Sequence, residues 1–281
     1  MATSYVRPQA DWNSDAYHRL SEPQYAWGRT LLKVLELKGD EKVLDAGCGT
    51  GRLTAELLDR LPRGQVVAVD ASPNMLAKAR EFLSPRYGGH VSFLQADITE
   101  LPMIESVDGV FSTAAFHWVK DHRKLFRSLF MALRKTGWLL AQCGGGPNLA
   151  RLRYAVSKLI ARDPFVQYFV GWSEPWEYVD ERTTADRLLA AGFEDVEVSL
   201  REAPVQMQSR EDFIEYMRLM TLHTHVAQLP ENLQTEFLNE LADDAEKRGG
   251  YVFDYWRLNI SARKPRWPRV STGKVWKLQR E

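Results

Sequence analysis

At 281 residues, with 37 Lys and Arg against 37 Asp and Glu, the chain is long enough to bury a full core and has no net charge at neutral pH. That balance removes the global basic field that would argue for nucleic acid or a membrane surface, and no run approaches the roughly 18 apolar residues of a spanning helix. The opening Met1-Ala2-Thr3-Ser4-Tyr5-Val6-Arg7-Pro8 has no apolar leader, so a cytoplasmic location is expected. Residues 11–38 carry Trp12, Tyr17, His18, Tyr25 and Trp27 among polar neighbours, and Pro23 opens a helix continuing through Leu31, Leu32, Val34 and Leu35. These aromatics either fold over a cleft or cover a sheet edge.

The stretch 43–51, VLDAGCGTG, is an apolar run that ends in an acid and three alternating glycines, ahead of an amphipathic helix. It reads as strand, tight turn and helix start, a cradle where glycine admits a ligand and free N–H groups meet its polar parts. A dinucleotide fingerprint requires a glycine three places after its second one; counting from Gly49, Arg52 stands there and the spacing fails. Asp45, at the strand's carboxyl end, would repel a pyrophosphate but can pair with a ligand ammonium. Nineteen residues after Gly51, Asp70 closes a second apolar run, where a carboxylate can accept both hydroxyls of a ribose. An ammonium joined to an adenosine points to S-adenosylmethionine.

Leu53, Leu57, Leu58 and Leu61 then recur at helical spacing until Pro62 and Gly64. Ser72 caps a further helix with Pro73 at its first position and Met75, Leu76, Ala79 and Leu83 on one face. Residues 91–94 and 107–112 read as strands, 121–133 as a helix closed by Gly137, and 138–142 as another strand. Strict alternation demands a parallel sheet with helices on both faces, and Asp45, Asp70, Asp97 and Thr113 fall at the strands' carboxyl ends, where such sheets bind ligands. Past Gly144-Gly145-Gly146-Pro147 come a helix over 149–161, an aromatic-rich connector (Phe165, Tyr168, Trp172, Trp176, Tyr178), a helix over 183–191 and a strand over 196–200. Residues 210–247 are mostly helical, with Leu233, Phe237 and Leu241 on one face and Glu231, Glu236, Glu240 and Asp243 on a solvated one. With 252–263 returning as a strand, the roughly forty residues between the last two strands form a helical cap. In the expected sheet order another strand lies between Cys48 and Cys143, a separation of about 10 Å that excludes a disulfide. The end, from Arg263 to Glu281, carries seven basic residues interleaved with Trp267 and Trp276 and reads as a solvated, flexible tail, with single-stranded nucleic acid as the other reading.

Together VLDAGCGTG, VVAVDASPNML (66–76) and QADI (95–98) resemble the class I S-adenosylmethionine-dependent methyltransferases. The opening Asp11-Trp12-Asn13-Ser14-Asp15-Ala16-Tyr17 is similar to the Trp-Asn-x-x-x-Tyr start of the trans-aconitate methyltransferase group. The resemblance implies a Rossmann-like α/β fold: a seven-stranded, mostly parallel sheet closed by an antiparallel hairpin, helices on both faces and a helical cap. It divides the chain into an N-terminal helical lid (1–38), a methyltransferase domain (39–263, cap insert about 207–250) and a basic tail (264–281). Asp45 is then assigned to the cofactor ammonium, Asp70 to the ribose and Asp97 to the adenine amino group, with Ala71, Met75 and Ile98 around the purine. Gly47, Cys48, Gly49, Gly51 and Thr113 complete the cofactor side, and Trp12, Tyr17, His117, Trp118, His223 and Arg257 the acceptor side.

Two departures from the group matter. Where the group usually has a Gln-Trp pair, His117 takes the Gln position ahead of Trp118, and can orient a carboxylate, bring charge to it, or act as a base. In Thr221-Leu222-His223-Thr224-His225 the group's Leu-Arg-Pro is missing, which removes a carboxylate fork and weakens the case for a tricarboxylate. His223 and His225 diverge on a helix, which argues against a metal pair. Arg257 matches an arginine at the start of the group's last strand, and reaches either an acceptor carboxylate or a surface acid.

A methyl sulfonium is already electrophilic, so orientation in a dry site carries the chemistry, and an ionised carboxylate needs no base. The expectation is methyl transfer to a small molecule, at a carboxylate or hydroxyl oxygen, with S-adenosylhomocysteine as product and the protein a monomer or dimer. Alternatives are methylation of a carrier-bound or polyketide-like acid and a non-enzymatic cofactor-binding assembly factor. The Asn/Asp-Pro-Pro-Tyr run of amino or base methylation is absent.

Overall fold

A computed structural model describes Trp12, Ser14, Asp15 and residues 21–267. Helix α1 (Glu22–Lys33) precedes β1 (Lys42–Ala46), α2 (Arg52–Asp59), β2 (Gln65–Asp70), α3 (Pro73–Tyr87), β3 (Val91–Gln95), β4 (Val107–Thr113), α4 (His122–Ala132) and β5 (Leu133–Gly144). Then come α5 (Ala150–Leu159), α6 (Glu181–Ala191), β6 (Glu194–Glu202), β7 (Val205–Gln206), α7 (Arg210–Tyr216), a π-helical turn (Met217–Thr221) and α8 (His223–Val226). The described chain closes with α9 (Glu231–Lys247), β8 (Val252–Phe253) and β9 (Trp256–Arg263). Among the described residues no helix is long and apolar enough to cross a membrane.

Seven strands form one sheet in the order β3-β2-β1-β4-β5-β9-β6, parallel except for β9, which runs antiparallel to both its neighbours. Consecutive residues of β1 fill opposite faces: Leu44 joins Val110, Phe126, Leu129 and Ile260 on one side, and Val43 joins Leu57, Val66, Leu83 and Phe111 on the other. Both sets are fully excluded from water, which is why these strands read as continuous apolar runs. The order reverses at β1, so a crevice opens at the carboxyl tips of β1 and β4.

Local signals set the helix starts. Ser72 Oγ accepts from Met75 N at 3.1 Å ahead of Pro73, and Asp121 accepts from Lys124 N at 2.9 Å. Gly137 does not close α4. The helix stops at Ala132 and passes straight into β5, where Gly137 is a strand residue whose added Cβ would lie 2.8 Å from Arg134 O. The helix end is satisfied instead by Lys264, whose buried ammonium donates to Phe130 O at 3.0 Å and Leu133 O at 2.7 Å. Lys264 thus belongs to the fold and not to the tail, of which 268–281 lie outside the described residues.

The cap is larger than the segment between the last two long strands. Its apolar cluster joins Phe213, Met217, Phe237, Leu241 and Phe253 to Leu152, Val156, Phe165 and Trp176 from the connector after β5. The apolar face of α5 finds its partner in α9, so two separate segments of sequence build one lid.

Candidate active site

After β1 the chain turns through Gly47 (φ +82°) and Gly49 (φ +54°). An added Cβ on Gly47 would lie 2.3 Å from that of Ala115, so this turn is pressed against the wall that follows β4. Gly47 N and Cys48 N donate to Val69 O at 2.8 and 2.9 Å. The Asp70 carboxylate accepts from Gly49 N and Ser72 N, each at 2.9 Å, which locks the glycine turn to the tip of β2 and the start of α3. Beside it opens a cavity of about 790 Å³ whose lining includes Gly47, Asp70, Ala71, Asp97, Ile98 and Trp118. Asp97 is exposed at the end of β3, with Oδ1 accepting from Thr99 N at 2.8 Å.

Asp45 lines a different space from these two acids. It is buried, accepts from Thr54 Oγ1 at 2.6 Å, and burial with the neighbouring charge of Asp70 lifts its pKa to about 7. It lines a recess of about 40 Å³ with Gln24, Cys48, Gly49 and Thr113. Gln24 donates to Tyr216 Oη at 2.6 Å while its Oε1 is buried without a partner. A raised carboxyl and an orphaned acceptor facing one recess are the arrangement a ligand ammonium satisfies. Burial pushes the Cys48 thiol up, so it stays neutral. Gly51 lies off these cavities: it starts α2, and its added Cβ would meet Leu83 Cδ1 at 2.8 Å, so it serves packing. Met75 lines the next chamber and not the 790 Å³ cavity.

That chamber holds about 100 Å³, and Trp12, His117, Trp118, Trp176, Tyr178 and Arg257 are among its walls. Ala114, at φ +54°, turns the chain so that Phe116 enters the core while His117 and Trp118 face the cleft. His117 Nδ1 accepts from Gly144 N at 3.3 Å, and burial, reinforced by Arg257 and His122, holds its pKa well below the usual value. The ring is therefore neutral with its proton on Nε2, a donor and not a base. Trp12 meets Trp118 edge-on at 5.2 Å, and both also line the larger cavity, so the two rings separate the two spaces.

Arg257 lies on β9 opposite Gly144 of β5 and is buried. Its guanidinium stands 4.5 Å from the ring of Trp27, Nε has no partner, and no carboxylate pairs with it among the described residues. Burial pulls its pKa down from the ordinary arginine value. The surface-acid alternative for Arg257 thus has no counterpart among the described residues.

His223 packs between Trp12 (4.0 Å) and Trp118 (5.4 Å) on the larger cavity, and burial lowers its pKa to about 4. His225 points into the cap, 3.3 Å from Glu174 Oε2 and against Trp172 and Trp176. The two rings diverge, and no cluster of three metal-binding side chains occurs among the described residues. Tyr17 lies outside those residues. Gln24, Asn148, Tyr178 and Tyr255 also line the chamber and carried no spacing signal; only the aromatic richness around Trp176 hinted at Tyr178.

A methyltransferase domain model matches residues 43–137. A trans-aconitate 2-methyltransferase of Variovorax paradoxus is 31% identical over 240 residues, 82% of this chain and 87% of that one. The chain belongs to the class I S-adenosylmethionine-dependent methyltransferases, in the trans-aconitate methyltransferase-like group. This methyltransferase is also 28% identical over 264 residues to an uncharacterized methyltransferase of Schizosaccharomyces pombe, covering 92% of this chain and 99% of that one. Among solved structures, Haemonchus contortus phosphoethanolamine N-methyltransferase 2, bound to phosphomonomethylethanolamine and S-adenosylhomocysteine, gives a TM-score of 0.59 at 21% identity, over 90% of this chain and 57% of that one. The Bacillus subtilis YcgJ protein gives 0.60 at 18% identity, over 86% and 99%. These two likenesses show the fold. The methyltransferase uses S-adenosylmethionine as cofactor.

Proposed function

We propose that this methyltransferase transfers the methyl group to a carboxylate oxygen of a small-molecule acid. The observation that carries the reading is Arg257, a buried guanidinium with no carboxylate partner among the described residues, on the wall of a chamber adjoining the cofactor cavity. A buried charge without a counter-ion is costly and is retained where a ligand supplies the missing anion.

On this reading Asp45 and Gln24 Oε1 hold the cofactor ammonium and Asp70 holds the ribose hydroxyls. Asp97 meets the adenine amino group while Ala71 and Ile98 flank the purine, all from the rim of one cavity or its recess. Trp12 and Trp118 exclude water where the two spaces meet, and the N-terminal segment that carries Trp12 acts as part of the lid. Bound S-adenosylmethionine supplies an electrophilic methyl that a carboxylate oxygen takes directly, the C–S electron pair staying on sulfur and no proton moving. Arg257 fixes the acid by charge-assisted hydrogen bonds, and His117 Nε2–H donates to its oxygen without abstracting anything.

Incubating the protein with S-adenosylmethionine and a panel of carboxylic acids, phenols and amines tests the reading. Products should be methyl esters that release methanol in mild base. Base-stable ethers or N-methyl products in their place would reject it.

A further inference from the structure

The chamber beside Arg257 restricts the acid more closely than the reaction does. We propose that the acceptor carries a single carboxylate on a flat, largely apolar body of about one ring, and that di- and tricarboxylates are rejected; this rests on the carboxylate reading above.

Charge is the first constraint. Arg257 is the one cationic side chain among the described residues lining the chamber. His117 is neutral and has its Nδ1 already occupied by Gly144 N. The described walls compensate one anion, and a second would lose its hydration against them with nothing in return. The polar atom left unpartnered on the same walls and not assigned to the cofactor, the buried Thr221 Oγ1, is neutral. It can meet a hydroxyl or an amide of the ligand but brings no charge to compensate a second carboxylate.

Shape is the second constraint. Trp176 and Tyr178 lie nearly parallel (18°, centroids 5.7 Å apart), Tyr178 continues the stack onto His117 (27°, 5.7 Å), and Trp12 closes across Trp118 at 87°. Such walls offer aromatic faces and edges to a planar ligand. The space between these walls, about 100 Å³, opens toward the cofactor cavity past Trp12 and Trp118. A branched polyanion exceeds the single positive charge that the described walls offer.

The test uses the full chain with S-adenosylmethionine and compares benzoate and phenylacetate with trans-aconitate and citrate, and with phenol and benzylamine as uncharged and cationic ring analogues. Initial rates are read as S-adenosylhomocysteine release, and binding of benzoate to the S-adenosylhomocysteine-loaded protein is measured by calorimetry. The ring monoacids should exceed the tricarboxylates in kcat/KM by about tenfold or more, and Arg257→Lys should keep that order with a raised KM. Equal or faster turnover of trans-aconitate or citrate would overturn the inference and leave the carboxylate reading standing. Methylation of phenol or benzylamine with none of the acids would overturn both. Absence of benzoate binding below about 10 mM would overturn the inference independently of turnover.

Discussion

Replacing Arg257 by Met should make the protein more stable and less able to use an acid. Two terms set the first effect. The guanidinium has lost its water and has no carboxylate partner among the described residues, a cost of several kcal/mol. It recovers about 2 kcal/mol from the face of Trp27, 4.5 Å away. Met fills most of the same volume without a charge, so unfolding free energy should rise by about 1–3 kcal/mol. For a domain of this size that is a rise in Tm of roughly 2–4 °C per kcal/mol. The second effect runs the other way: each charge-assisted hydrogen bond lost to the acceptor is worth about 1.5–3 kcal/mol, so kcat/KM for the acid should drop at least tenfold. Urea melts and steady-state kinetics on the same preparations read both. A variant that melts earlier than the wild type and keeps its KM for the acid would refute the argument, since Arg257 would then be a structural group with a hidden partner.

Asp70→Ala should weaken S-adenosylhomocysteine binding by about 1.5–3 kcal/mol in calorimetry, and undiminished affinity would reject the ribose assignment. Asp45 gives a pH signature. Its carboxyl, raised to about 7 by burial, binds a proton in the free protein that an ammonium displaces. Affinity for S-adenosylhomocysteine should therefore rise by up to tenfold per unit as pH climbs from about 6 to 7, then level off, and the slope should vanish in Asp45→Asn. For stability the sign is opposite: an unfolded Asp ionises near 4, so between about 4 and 7 the ligand-free fold holds the extra proton, and its stability declines as pH rises through that window. His117 stays neutral because burial depresses its pKa, so kcat for an acid acceptor should show no inflection between about pH 6 and 8. His117→Gln, which keeps a donor, should change the rate by less than about tenfold with the same flat profile; an inflection in the wild type that this variant lacks would restore the base.

The elements that carry the proposed donor side were legible because they are local. A glycine turn, an acid at each strand tip and the capped helix that follows are written within sixty residues, and alternation alone sets the sheet. Reading failed where satisfaction came from far away. Gly137 looks like a helix stop in sequence, but α4 is ended by Lys264, some 130 residues on, through an ammonium that no periodicity reveals. Met75 shares a helix face with core residues, and whether it meets the purine or the acceptor depends on the angle at which α3 leaves β2. Gln24, Tyr178 and Arg257 come from three distant segments, and their meeting follows from the β5–β9 register and the two-part cap. The tyrosines in particular look like ordinary core in any window of sequence.

The apolar cluster of the cap shares no buried residue with the two that sandwich the sheet. Change in one half is therefore felt weakly in the other: substitutions at Met220, Trp176 or Thr221 can reshape the guest's room while the glycine turn and its three acids go undisturbed. On the reading proposed above, a scaffold partitioned in this way lets selection exchange one acceptor for another without relearning how to hold the methyl source, and the same partition marks the lid as the place where laboratory evolution for a new acceptor should begin.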